Sequence, residues 1–134
     1  MELRRQVGWE RRLCAFLAEN RHTPFVWGAW DCATVAIRGV ELLTGQRVWT
    51  ITWASAIDAR RVIADAGGLA TATSSRLGQP SQNWRVLRRG DIGLVDMDGR
   101  AALTICTGQA LCGPGIDRIE HLPVSAARVG WRVG

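Results

Sequence analysis

Cys32 is the residue whose surroundings most invite chemistry. It follows Asp31, where the Trp- and Gly-rich run Phe25-Val-Trp-Gly-Ala-Trp-Asp31 gives way to an apolar pattern of helical period. The thiolate is the nucleophilic form of cysteine, and the positive end of a helix dipole favours it. Such a sulfur attacks a carbonyl only when a base within hydrogen-bond reach takes its proton and a third group holds that base in one tautomer. The chain has 2 histidines, His22 and His121. His22 lies in the connection before Cys32, and His121 lies in a late segment of strand character. A plainer reading stands beside each residue: Cys32 as a small apolar residue on the helix stripe, Asp31 as an N-cap, His121 at the core edge or surface. A third possibility is a metal or iron–sulfur structural module, which would need Cys14, Cys32, Cys106 and Cys112 to converge. There is no Cys-x-x-Cys pair, and the expectation is four free, buried thiols with no cofactor and no metal.

The elements that must position these residues can be read in order. Trp9, Leu13, Phe16 and Leu17 carry a helical stripe, predicting a first helix over 4–20 ended by Asn20. Pro24 forbids its continuation. Cys14, next to the stripe, is expected to be packed. The second helix is the best specified: Asp31 caps it, Cys32, Val35, Ala36, Gly39, Val40 and Leu43 share a face, and Gly45 stops it. Val48 to Trp53 alternates Thr with large apolar residues, an extended segment with Trp49, Ile51 and Trp53 on one side. Ser55-Ala-Ile-Asp58 reads as a capping box opening a helix to Ala66, with Ala59, Val62, Ile63 and Ala66 inward and Gly67-Gly68 as the stop. A short helical turn from Leu69 to Leu77, ended by Gly78, and a loop over 79–83 follow.

The last third changes character. Asp91 to Met97 reads as a strand, Asp98-Gly99 as a two-residue hairpin turn, and Ala101 to Thr107 as the return. Ala110 to Cys112, Arg118 to Leu122 and Val129 to Val133 are further short strands. Helices followed by an antiparallel meander or half-barrel predict one α+β domain over 1–134.

The 134 residues carry a formal charge of +5, and all 17 basic residues are arginine; lysine and tyrosine are absent. The arginines are dispersed in short pairs with no basic stripe, so nucleic acid is not the expected partner. No apolar run approaches the ~20 residues of a membrane span, and Met-Glu-Leu-Arg-Arg lacks the apolar stretch of a secretory signal. These features suit a soluble protein made in cytoplasm. Trp and Arg are both enriched at protein interfaces, and Trp49, Trp53, Trp84 and Trp131 are candidate subunit contacts.

The order of motifs resembles the NlpC-type papain-like cysteine peptidases, and more closely a group of short phage and prophage tail proteins related to that fold. The matching pieces are Trp27-Gly28-x-x-Asp31-Cys32, Thr44-Gly45, Ala66-Gly67-Gly68, Gly90-Asp91 and Trp131-Arg132-Val133, spread over residues 8–134. The resemblance implies a papain-like scaffold with Cys32 in the nucleophile position. It also places the base at the start of the strand after Gly90-Asp91, near Ala102 with Ala101 beside it, and neither residue can take a proton. The resemblance therefore implies a pseudoenzyme: a non-catalytic structural or assembly component of a phage tail, at the tail tip or hub, made in the host cytoplasm and contacting other tail proteins. The alternative is a cell-wall cysteine amidase or endopeptidase with Cys32 as nucleophile and His121 as an unorthodox base.

Overall fold

The computed structural model describes residues 2–134. It is α+β: four helices precede a five-stranded antiparallel sheet. The helices are α1 (Trp9–Glu19), α2 (Cys32–Thr44), α3 (Ala56–Asp65) and α4 (Leu69–Leu77). The strands are β1 (Ile92–Met97), β2 (Arg100–Cys106), β3 (Ala110–Pro114), β4 (Ile119–Pro123) and β5 (Val129–Trp131), in the spatial order β4-β3-β2-β1-β5. Single 3-10 turns occupy Trp84–Val86 and Val124–Ala126.

The meander β1–β4 is built from local turns. At Asp98-Gly99 both residues adopt positive φ (53° and 80°), the geometry that lets a two-residue turn follow the twist of its strands. Register then pairs Met97 with Arg100 and Ile92 with Ile105. β5 returns to the free edge of β1, opposite Ile92 to Leu94.

The sheet alternates between two apolar faces, as its period of two requires. Ile92, Leu94, Leu103, Ile105 and Cys112 face the main core with α1 and α2. Val95, Cys106 and Leu111 face a smaller cluster with Ala127, roofed by Trp84 and Leu87. α2 lies across β2 and β3, and it is buried almost all round: Ala33, Thr34 and Ile37 are covered as well as the expected stripe. It is a central helix, not a surface one.

Two differences from expectation have physical causes. α1 starts at Trp9, not at residue 4, because Gly8 takes a left-handed φ of 85° and the segment before it is drawn away. That pull is Arg5, whose guanidinium donates to Asp91 Oδ1 at 2.8 Å, to the Val133 carbonyl at 2.7 Å and to the Arg89 carbonyl at 2.7 Å. Asp91, buried at the mouth of β1, also accepts from the Arg88 and Val133 amides. One ion pair thus joins both ends of the chain to the sheet.

The tryptophans differ too. Trp49, Trp53 and Trp131 are core residues, with Trp131 fully buried, and Trp84 is half-buried under the sheet. The first three are therefore unavailable as subunit contacts. Several Trp rings are covered by the chain's own arginines: Arg76 stacks on Trp49 at 4.1 Å, Arg85 on Trp84 at 4.5 Å and Arg5 on Trp9 at 4.3 Å. Ala66, expected inward on α3, is exposed at its C-terminal end.

Removing Arg5 would leave the Asp91 carboxylate buried without its cation. Arg5→Ala is expected to cost about 2–3 kcal/mol, read as a lowered urea midpoint. The loss should exceed that of Arg4→Ala, whose side chain is exposed.

Candidate functional site

The segment before α2 is organised by one carboxylate. Asp31 is 1% exposed and accepts three hydrogen bonds: from the Thr34 amide at 2.8 Å, the Gly28 amide at 2.7 Å and Trp53 Nε1 at 2.8 Å. The first is the N-cap read from sequence. The second closes the Trp27–Trp30 turn. Gly28 sits there at φ 81°, and any Cβ would collide with the Trp53 carbonyl. The third bond brings in the extended segment 48–53, which joins no sheet but keeps its alternation, with Trp49 and Trp53 buried and Thr50 and Thr52 exposed. Trp49 and Trp53 meet edge to face at 5.6 Å.

Cys32, the first residue of α2, is therefore held in a fixed place, partly exposed, at the floor of a cleft of about 580 Å³. One wall is the inner face of α3, with Ala56, Ala59, Arg60 and Ile63; Leu69 of α4 and Trp27 lie beside it, and Arg100 and Ala101 of β2 complete it. The approach of β2 to Cys32 is where the resemblance would put a base. Ala101 lines this cleft, and Ala102 lines a smaller cavity of about 290 Å³ that also reaches Cys32. Neither side chain accepts a proton.

Burial pushes the Cys32 thiol above its ordinary pKa. The backbone N–H of Leu103 opposes this, the Asp31 charge adds to it, and the amides of Ala33 and Cys32 oppose it weakly; the net direction is up. A helix N-terminus is worth only about 0.3–1 kcal/mol in favour of an anion, and desolvation outweighs it here. His121, exposed on β4, shares the smaller cavity with Cys32. His22 is exposed in the turn after α1.

The other cysteines lie apart. Cys14 is exposed on α1, against the expectation that it is packed: position 14 falls outside the Leu13–Phe16 contact with the core. Cys106 and Cys112 are buried in adjacent strands, but Cys112 pairs with Ile105 and Cys106 with Leu111, so they point to opposite faces of the sheet. Burial raises both thiols, Cys112 to about 12. Among the described residues no three His, Cys, Asp or Glu side chains gather to hold a metal ion, so the four cysteines do not form the cluster that a metal or iron–sulfur module needs.

Sequence reasoning missed the Asp31–Trp53 bond, the α3 wall and Arg100. Only the α3 wall had a signal, in the spacing of Ala56, Ala59 and Ile63.

Over residues 4–133 the chain matches the profile of a family described as a domain of unknown function, DUF6950. The chain belongs to this family. Comparison with curated proteins and with solved structures gave no match. The matched span takes in the whole cleft, from Trp27 to Ala101, so the cleft lies within the family domain.

Two outcomes follow from the thiols. At pH 7 iodoacetamide should modify exposed Cys14 at least about tenfold faster than Cys32, because only the thiolate reacts. Peptide mapping over time reads this, and preferential labelling of Cys32 would contradict it. The second concerns alkaline stability. An unfolded thiol ionises near pH ~8.5, but folded Cys112 keeps its proton to about 12. Between those values the unfolded chain binds fewer protons, so stability must fall with rising pH, by up to about 1.4 kcal/mol per pH unit for each such thiol. With no lysine or tyrosine in the chain, the thiols dominate this limb, and Cys112→Ala should flatten it in urea titrations between pH 9 and 11.

Proposed function

We propose that the chain is a non-catalytic structural or assembly component of a phage or prophage-derived tail, at the tail tip or hub, acting through contacts with other tail proteins on a papain-like scaffold. The observation that carries the non-catalytic part is the cleft itself: Cys32 stands at its floor with alanines on the neighbouring strand and a thiol made less acidic by burial. A hydrolase needs a thiolate and an oriented base. The cleft supplies neither. The scaffold part is supported by the order of elements, a central helix opening on Asp31-Cys32 followed by an antiparallel sheet whose second strand packs on that helix. The tail assignment is supported by the resemblance of Trp27 to Cys32, Gly90-Asp91 and Trp131 to Val133 to the short tail proteins. Its site of action on this reading is the virion tail, after synthesis in the host cytoplasm.

One observation favours a second reading. Cys32 and His121 line the same small cavity, so a rearrangement of β4 could bring a base to the thiol and yield a cell-wall amidase or endopeptidase.

The test uses a phage or prophage that encodes the chain. Tails are expected to contain it, or to fail to assemble without it, and Cys32→Ala should give normal particles. Complete infectious particles formed without the chain, together with no affinity of the purified protein for any tail protein, would sink the assembly role. Release of peptides from peptidoglycan by the purified protein, lost in both Cys32→Ala and His121→Ala, would establish the enzyme instead.

A further inference from the structure

We propose that the cleft beside Cys32 is the docking site for a segment of a partner protein that carries large apolar side chains together with carboxylates. This rests on the reading of the chain as a protein-binding scaffold and adds the chemistry of what it binds. The cleft's volume, about 580 Å³, lies in the range of specific binding sites. Its α3 wall is only partly covered from within: Ala59 is buried and Val62 and Ile63 pack half-covered against the core, but Ala56 stays half-exposed and Ala64 exposed where they line the cleft. Trp27, 37% exposed and braced edge to face by Phe25 at 4.9 Å, adds an aromatic surface at the cleft.

Charge defines the occupant further. Arg60 on α3 and Arg100 at the start of β2 both line the cleft and are both exposed. Six arginines pair with carboxylates among the described residues, namely Arg4, Arg5, Arg47, Arg61, Arg118 and Arg128. Arg60 and Arg100 are not among them, although Arg61 beside Arg60 holds Asp58. The acid in the cleft, Asp31, is buried and committed to three N–H donors. The uncommitted charge is therefore positive, over apolar walls, and complementary to carboxylates, which guanidinium forks bind well. Two guanidiniums on separate elements match a segment bearing more than one carboxylate better than a single headgroup. Arg and Trp around a desolvated centre are also the usual makings of a protein-binding hot spot.

A random-sequence peptide display library selected on the immobilised full chain tests this. Enriched peptides should combine Leu, Ile, Phe or Trp with Asp or Glu. Their affinity should weaken with salt and fall about tenfold or more in the Arg60→Glu/Arg100→Glu double variant, as two favourable rim charges become repulsive. Ala101→Trp, which fills the cleft from an exposed strand position, should abolish binding, and Arg11→Glu on α1 should leave it unchanged. Thermal melts by circular dichroism establish that each variant is folded, and the arginine pair suffices if Ala101→Trp is not. No enrichment, neutral or basic enriched peptides, insensitivity to the arginine pair, or dodecanoate binding with the same arginine dependence and displacing the peptides would each overturn the proposal. Tails that retain a chain whose arginine reversal changes nothing would refute the cleft and spare the assembly role. Cleft-dependent peptide binding by a chain that tails lack would do the reverse.

Discussion

The Asp31 carboxylate is the constraint on which the functional half of the molecule depends. A charge withdrawn from water costs several kcal/mol unless its lone pairs are filled. Here they are filled by three segments that otherwise share no regular hydrogen bonding: the turn at Gly28, the first turn of α2 and the indole of Trp53. The last matters most for architecture. Residues 48–53 belong to no helix or strand, yet Trp53 is fixed by Asp31, Trp49 packs against Trp53, and Arg76 of α4 covers Trp49. The cap of one helix is thereby connected to another, and the cleft is the space left between the start of α2, α3, the first residue of α4 and β2.

Asp91 repeats the device at the sheet. It is buried, takes one guanidinium and two amides, and ties the segment before α1 and the end of the chain to β1. Both acids are read in sequence as local features, a helix cap and the residue opening a strand. Each has a second, non-local use that spacing alone does not reveal.

This divides what is legible in the sequence from what is not. α2, the Ser55 cap of α3, the Gly78 stop of α4 and the Asp98-Gly99 hairpin depend on neighbours within a few residues, and each stands as the pattern requires. The start of α1 does not, because Arg5 answers to Asp91, 86 residues away. The tryptophans mislead for a related reason: a ring that stacks on the chain's own arginine has the composition of an interface residue and the location of a core one. At the candidate site, the helix start and its cysteine are visible, but the walls are not, since α3 and Arg100 meet Cys32 only through tertiary packing.

The same packing sets the environment of the Cys32 thiol. A helix N-terminus draws a thiol toward its anion, and in an open, polar cleft with an imidazole on β2 that bias would suffice for a nucleophile. Here the neighbouring strand carries Ala101 and Ala102, and apolar walls surround the sulfur. A wall without a proton acceptor has two consequences at once. It leaves the thiol protonated at neutral pH, and it leaves room for an apolar group where an imidazole would have stood. On the proposed reading, the small residues on β2 are what make the cleft a receptor, with Arg60 and Arg100 supplying the charge that selects what enters it.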